Sequence, residues 1–228
     1  MKAKWGALVV DGRGKIGGHV LSKNKSGAYM RTKVTPVNPQ TTAQSLVRSR
    51  FTTYAQAWRG LSAAQRAAWR GAVDGFKKTN VFGDMVAPSG FNLYCTLNNN
   101  LVTIGQSAIN TPPDPSAVDD IVIGALTATD APALSLAYTA GTGGSTLKVF
   151  ATPAVSAGKE YVKNLYRLIS SDIAVETASP YDAAADYAAV FGAVAAVGSQ
   201  IFIKTVAVNE TTGQEGTPQV TSAVIAAS

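Results

Sequence analysis

Few residues in this chain are of the kinds that catalyse reactions or bind metals. The sequence of 228 residues contains one histidine, His19, and one cysteine, Cys95. Nucleophilic Ser-His-Asp or Cys-His catalysis needs a histidine as its base, and a zinc site needs several Cys and His ligands. A lone cysteine also excludes a disulfide within the chain. These counts argue against an enzyme, and we expect no catalytic residue, no metal and no cofactor.

The C-terminal half contains the candidates for an acid/base pair, which are Asp172, Glu176, Asp182 and Asp186. We expect them on loops and on a short alanine-rich helix, where no basic or metal-ligating residue is placed to tune them for catalysis. Asp182 and Asp186 are spaced to share a Ca²⁺ ion, but two carboxylates are too few for a dedicated site. A glycosidase-like enzyme needs a cleft with paired carboxylates, so it ranks last among the functions considered.

A glycine pattern near the N-terminus matches G-x-G-x-x-G over residues 12–17. The dinucleotide fingerprint needs a helix that opens at the last glycine and an acidic residue about 20 positions later. Here we expect the strand to continue through Gly17, Gly18, His19 and Val20, with no such acidic residue. Glycines in a β-arm more often mark bulges or a close backbone approach, so the pattern predicts no nucleotide site.

Charge divides the chain into two unlike halves. Residues 1–112 hold fifteen Lys/Arg and three acidic residues, a net charge of +12, whereas residues 113–228 hold five and eleven, a net charge of −6. The division favours a basic half that meets an acidic partner and an acidic half that stays in solvent. Two domains that merely differ in isoelectric point are the alternative. Between the halves, three prolines in residues 112–115 predict a stiff, extended linker over 111–117.

The first 40 residues predict a basic β-hairpin arm. Strands are expected over 5–10, 15–22 and 28–35, with a turn between Ser22 and Gly27. Alternation puts the side chains of Tyr29, Arg31, Lys33 and Thr35 on one face of the last strand. Because such a hairpin is marginal alone, we expect it to bind a partner surface. The predicted partner-binding residues are Lys15, Lys23, Lys25, Tyr29, Arg31 and Lys33.

Residues 41–110 predict a helical domain. Thr41 with Gln44, and Ser62 with Gln65, each fit a capping box and mark the starts of two helices joined as an αα-hairpin. A third helix is expected after Ser89, with Tyr94, Leu97, Leu101 and Ile104 on its apolar side and Asn92, Asn98 and Asn99 outside. Spacings of three and four predict a continuous buried stripe on the first two helices, formed by Val47, Phe51, Tyr54, Trp58, Leu61, Trp69, Val73 and Phe76.

A helix-turn-helix DNA reader is the alternative for this αα-hairpin. The second helix offers Gln65, Arg66 and Arg70 but no cluster of base-reading side chains near its start. Sequence-specific DNA binding is therefore disfavoured.

Residues 118–228 predict a small β-sandwich of the immunoglobulin or fibronectin-III kind. Alternating segments with regular turn signals and no cysteines indicate six or seven short strands. A short helix is expected near 180–187. The predicted strands are 120–128, 134–139, 146–152, 161–170, 200–208 and 217–225. The fold class predicted for the whole chain is therefore α+β: an arm (1–40), a helical domain (41–110), a linker (111–117) and the sandwich (118–228).

The order of motifs in the N-terminal half resembles a poorly characterised group of proteins encoded in tailed bacteriophages and prophages. The resemblance covers about residues 12–70 and includes Gly17-Gly18-His19-Val20, Gly27-Ala28-Tyr29-Met30-Arg31, Pro36-Val37-Asn38-Pro39-Gln40-Thr41, Gln44, Arg48, Phe51, Trp58-Arg59-Gly60-Leu61, Gln65-Arg66 and Trp69. Members of this group pair such an arm and helical hairpin with variable immunoglobulin-like C-terminal regions. The resemblance implies a virion structural protein and carries over no catalytic residue.

Two functions of different class follow from these observations. The first is a non-enzymatic virion component, made in the host bacterial cytoplasm, that docks on capsid, portal, neck or tail proteins and forms a homo-oligomer in the particle. Its sandwich would project outward as a capsid decoration or a neck or tail accessory. The second is a DNA-associated protein that binds phosphates with the basic half, which would make its affinity strongly salt-dependent. No membrane partner is expected, since no apolar run of about 18 residues exists.

Overall fold

The computed structural model describes residues 2–3, 12–116, 118, 121–130, 133–139, 141, 143–174, 179–192 and 197–228. The described residues form four α-helices and several antiparallel sheets, so the chain is α+β, as predicted. The strand expected over residues 5–10 lies outside the described residues.

A four-stranded antiparallel sheet forms the arm, in the order β1-β4-β3-β2. Its strands are β1 (Lys2–Ala3), β2 (Gly14–Ile16), β3 (His19–Asn24) and β4 (Gly27–Thr32). The single strand expected over 15–22 is wrong, because the chain turns at Gly17 and Gly18 and splits it into β2 and β3. Gly17 has a φ of +54°, a left-handed conformation that glycine adopts without the steric cost of a side chain. The G-x-G-x-x-G pattern therefore forms part of a hairpin, and no helix opens after it.

The helical region contains α1 (Thr42–Gly60), α2 (Ala63–Gly71) and α3 (Gly90–Thr103). The Ser62 capping box forms in full, since the Ser62 hydroxyl accepts from the Gln65 amide and the Gln65 side chain accepts from the Ser62 amide. The box predicted for α1 forms only by half: Thr41 accepts from the Gln44 amide, but Oε1 of Gln44 is buried and has no hydrogen-bond partner.

After α2 the chain tightens into a 3-10 helix over Ala72–Phe76. Sequence periodicity had predicted one helix through Val73 and Phe76, but Gly71 and Gly75 lower the helix propensity there. A small hairpin that was not predicted follows, formed by β5 (Lys78–Thr79) and β6 (Met85–Val86).

Aromatic rings form the centre of the helical core. Trp69 is fully buried and its ring meets Tyr94 edge-on, while Trp58 packs on both Tyr94 and Phe91. The indole Nε1 of Trp69 donates to the carbonyl of Asn110 at 2.9 Å, which fixes the chain just before the prolines. Buried Tyr54, Leu61, Phe76, Leu93 and Leu97 complete this cluster.

Asn98 departs from the sequence prediction. It was placed on the polar outer face of α3, but it is fully buried. Its Oδ1 accepts from the amide of Ile109 at 2.6 Å, and its Nδ2 donates to the carbonyls of Tyr94 and Ile109. A buried amide is tolerated because these bonds replace its bonds to water.

Two sheets of the C-terminal half enclose one apolar core. The first has the order β7-β8-β12, and the second has the order β14-β13-β9-β11, with β10 also paired to β13. The helix α4 (Ala184–Phe191) follows β12 and contributes Tyr187 to the core. The strands are β7 (Ile123–Thr129), β8 (Ala133–Tyr138), β9 (Ser145–Ala151), β10 (Val155–Ser156), β11 (Arg167–Ala174), β12 (Tyr181–Asp182), β13 (Ser199–Asn209) and β14 (Gln219–Val224).

Five of the six predicted C-terminal strands agree with observed ones to within a few residues. The exception is the strand expected over 161–170, since β11 begins at Arg167. β10 and β12 were missed because two residues are too short to show an alternating pattern.

Helix α3 and the turn between β13 and β14 join the two halves. Nδ2 of Asn100 donates to the carbonyl of Gly213 at 2.9 Å, and its Oδ1 accepts from Nζ of the buried Lys148 at 3.2 Å. Lys148 also pairs with Glu215 at 2.5 Å. Gly213 touches α3 so closely that a Cβ there would lie 2.5 Å from the carbonyl oxygen of Leu97.

The segment expected as a free linker also makes contacts. Pro115 lies against Gly75, and the amide of Ser116 donates to Gln214 Oε1 at 2.7 Å. The division into separately folding domains with these boundaries stays a prediction. If the two halves separate, the contacts described here must break.

We expect Trp69→Ala to lower the free energy of unfolding by about 3–5 kcal/mol, the cost of removing a buried large aromatic. Trp58→Ala serves as a comparison, because Trp58 is only half-buried and should cost less. Chemical denaturation followed by circular dichroism measures both changes. Equal losses for the two variants would contradict the placement of Trp69 at the centre of the core.

We expect Gly213→Ala to separate the two halves, because its φ of +71° disfavours a side chain and the added methyl group would collide with α3. Digestion with a protease of broad specificity should then cut within residues 107–118 faster than in the unmodified chain. Gly158→Ala is the matched control, since a Cβ there meets nothing within 4 Å. Unchanged cleavage of Gly213→Ala would show that this contact does not hold the halves together.

Candidate interaction surfaces

The arm sheet places some of the predicted partner-binding residues side by side. Lys15 lies opposite Val20, which in turn lies opposite Arg31, so both cations share one face of the sheet. Tyr29 is two residues from Arg31 and therefore lies on that face as well. Lys2 lies opposite Tyr29 and adds a cation that the sequence prediction did not include.

The other three predicted residues lie elsewhere. Lys23 is on the opposite face of the sheet, at a position paired with buried Ala28. Lys25 lies in the turn between β3 and β4, where its Nζ donates to the carbonyl of Pro88 at 3.2 Å and so connects the arm to the helical region. Lys33 follows β4, its side chain is exposed, and its backbone amide donates to Gly18.

The excess of cations extends along the sequence from the arm into the helices. Between Gly12 and Val73 the chain has eleven Lys/Arg residues and no Asp or Glu. The cations on the described face of the arm and at the start of α1 are exposed or half-exposed. Such a surface attracts a partner of negative charge at a range set by the ionic strength.

Exposed apolar residues lie near the cations at the start of α1. The sequence analysis had predicted them to be buried. The predicted buried stripe of α1 is buried only in its second half: Tyr54 and Leu61 are buried, while Val47 and Phe51 are 66% and 55% exposed. The shortfall has a geometric cause. α3 has 14 residues and α1 has 19, so α3 cannot cover α1 from end to end. The sequence signal available was this difference in length, together with Arg48 and Arg50 beside the stripe.

Two cavities are lined by described residues of the helical region. The larger, about 490 Å³, lies between the β5–β6 hairpin, α3 and the β13–β14 turn, and Lys2, Lys77 and Lys78 are on its wall. Lys77 is paired with Asp74 at 3.0 Å. The smaller, about 290 Å³, is lined by Lys25, Trp58, Val73, Arg70, Ser89, Gly90 and Phe91.

The acidic residues considered for catalysis have structural partners where the structure describes them. Asp186 accepts a hydrogen bond from the hydroxyl of Tyr181, Asp172 accepts from Ser170, and Asp182 accepts from the amide of Ala184. Burial, together with the bond to Asp186, raises the pKa of Tyr181 well above its usual value, so this phenol stays protonated. Glu176 lies outside the described residues. Among the described residues, no group of three or more His, Cys, Asp or Glu side chains could hold a metal ion.

Comparison with known proteins finds no match among protein-family models, curated proteins or solved structures. Within the described part of the chain, no helix has both the length and the apolar character needed to cross a membrane.

Cys95 should react slowly with thiol reagents in the folded protein. Burial raises the pKa of the Cys95 thiol from 9.0 to about 11, which lowers the thiolate fraction at pH 8 by roughly a hundredfold. We therefore expect labelling by a disulfide reagent at pH 8 to be about two orders of magnitude faster in denaturant, and the native rate to rise with pH up to about 11. Equal rates in the two states would indicate a thiolate available for chemistry.

Proposed function

We propose that this protein is a non-enzymatic structural component of a tailed-bacteriophage virion, made in the host cytoplasm and built into the particle as a homo-oligomer. It docks on capsid, portal, neck or tail proteins through its basic arm and helices. The observation that carries this proposal is the exposed surface of residues 12–73, which has eleven cations, no anion and exposed apolar side chains. The resemblance of residues 12–70 to phage and prophage proteins points to the same role.

The C-terminal half fits this role as an immunoglobulin- or fibronectin-III-like sandwich that projects from the particle. Its strand order supports this assignment. In a fibronectin-III-like arrangement the first, second and fifth strands form one sheet, and the remaining four form the other. With β10 set aside as an extension of the β9 edge, β7, β8 and β12 correspond to the first group and β9, β11, β13 and β14 to the second.

A protein partner fits the basic half better than DNA does. Val34 and Val37 are 68% and 86% exposed in the segment that links the arm to α1. DNA phosphates pair with cations but leave exposed valines in contact with water. A protein surface can also bury the valines, which is favourable. Adding a strand to a sheet such as that of the arm, through main-chain hydrogen bonds, is also a common route to affinity between proteins.

DNA association is the second candidate, and the face formed by Lys2, Lys15 and Arg31 favours it. Three cations on one sheet face could follow a phosphate backbone without reading bases. On our proposal duplex binding is weak at physiological salt, with a Kd no tighter than about 10⁻⁶ M. Nanomolar binding in the same salt would favour the DNA function instead.

Charge reversal on the arm tests the virion proposal. We expect Lys15→Glu with Arg31→Glu to lower the copy number of the chain in purified particles by roughly tenfold or more, because both charges then repel an acidic site. Quantitative mass spectrometry of particles gives the copy number directly. Both side chains are exposed, so circular dichroism should show an unchanged fold.

The matched control reverses two exposed cations of the acidic half, Lys159→Glu with Lys163→Glu. This variant should enter particles at the normal copy number. Particles from the producing phage or prophage that lack the unmodified chain would overturn the virion role. Normal incorporation of the arm variant would show that the arm does not dock.

A further inference from the structure

The uncovered half of α1 and the segment before it form one surface. Nη2 of Arg48 donates to Oδ1 of Asn38 at 2.8 Å, which holds the preceding segment against the first turns of the helix. Val37 and Val47, the sequence neighbours of the two bonded residues, are both exposed. We call this the α1 surface, and its apolar members are Val34, Val37, Leu46, Val47 and Phe51.

The α1 surface continues an interface that already exists within the chain. Phe91 of α3 packs edge-on against both Trp58 and Phe51, at centroid distances of 5.7 and 5.9 Å. Phe51 nevertheless stays 55% exposed, because only one of its sides meets α3. Towards the N-terminus Val47 lies one helical turn further along the same stripe, so a second helix on this surface would extend the packing that α3 begins.

Hydrogen bonding at the same end of α1 is also incomplete. Gln44 precedes Val47 by three positions and Phe51 by seven, so it lies on the same side of the helix. Its Oε1 is buried without a hydrogen-bond partner, a condition that costs free energy in an isolated chain.

Charge defines the chemistry of the partner. Arg48 and Arg50 flank the apolar residues, and Arg31 and Lys33 precede them, with no anion between Gly12 and Val73. Two copies meeting through this same surface would bring these arginines together, which opposes a symmetric dimer. A helix with one apolar face and acidic flanks would cover the exposed apolar residues and pair with the cations beside them.

We propose that the α1 surface binds an acidic amphipathic helix of another protein. Apolar residues of that helix, spaced three and four apart, cover Val47 and Phe51, and its carboxylates pair with Arg48 and Arg50. This inference deepens the proposed function and rests on it only for the identity of the partner as a virion protein.

A designed peptide tests the surface directly on the full-length chain. The probe is a helical peptide of about 18 residues with Leu on one face and Glu elsewhere, and amide shifts in NMR spectra locate its binding site. We expect amide shifts only in residues 34–51 and in the part of α3 around Phe91, which packs against Phe51. Val47→Asp and Phe51→Asp should each weaken binding by roughly tenfold or more, since each puts a carboxylate against the leucines and the glutamates.

Matched variants and probes decide between occupants. Val81→Asp changes a residue that is 79% exposed in the same half but outside the α1 surface, and it should bind the peptide normally. A Leu/Lys peptide of the same pattern should not bind. Equal binding of the two peptides, shifts elsewhere or no binding at all would overturn the proposal. The proposal would also be overturned if a short DNA duplex shifts the same amides and binds equally well to the Phe51→Asp variant.

Self-association through the α1 surface is a further outcome that would overturn the proposal of an acidic helix as the partner. The full-length chain should sediment alike with and without Phe51→Asp. A concentration-dependent oligomer that Phe51→Asp abolishes would identify a second copy as the occupant.

Photo-crosslinking in particles separates this inference from the proposed function. A benzophenone amino acid replaces Val47, and the crosslinked peptide is sequenced by mass spectrometry. We expect an acidic segment with apolar residues spaced three and four apart. If the designed peptide binds but particles lack the chain, the virion role fails and the α1 surface stands. If particles contain the chain but position 47 crosslinks to a basic or strand-like segment, the α1 surface fails and the virion role stands.

Discussion

The whole architecture depends on α3, a helix without a single charged residue that must pack on two sides. Tyr94 and Leu97 enter the aromatic core formed with α1 and α2. On another side, Asn100 bonds to Gly213 and to Lys148 of the C-terminal half. Because one helix serves both contacts, its position fixes how the two halves meet. The buried Lys148 ammonium is tolerated there because it donates hydrogen bonds to Glu215 and Asn100.

Because α3 is shorter than α1, it leaves the N-terminal half of α1 uncovered. When a helix packs against a shorter helix, its positions beyond the contact are either polar or are apolar and open to another binding partner. This chain keeps Val47 and Phe51 there and surrounds them with cations. The sheet of the arm likewise has little buried apolar area in its described part, with Leu21 and Ala28 as its buried residues. Both elements fit a role in docking better than a role in stabilising the monomer.

The separation of charge follows the same division. The basic half has its exposed apolar residues close to its cations, while the carboxylates of the acidic half that were considered for catalysis are bound by neighbouring hydroxyl and amide groups. A carboxylate that accepts such bonds stabilises a local turn or helix start. These three carboxylates therefore bond within the fold, whereas Oε1 of Gln44 at the start of α1 is buried without a hydrogen-bond partner in the described part of the chain.

The sequence by itself determined the α+β class, the first three helices with caps at Thr41 and Ser62 for the first two, and most C-terminal strands. These features depend on local periodicity and on side chains a few residues apart. It also determined the charge division. Only the tertiary structure decided which half of the α1 stripe is buried, that Asn98 faces inward, and which cations share a sheet face. Those outcomes depend on the length of a neighbouring helix, on a loop eleven residues away and on strand register. No local pattern records them, since each is set by residues that meet only after the chain has folded.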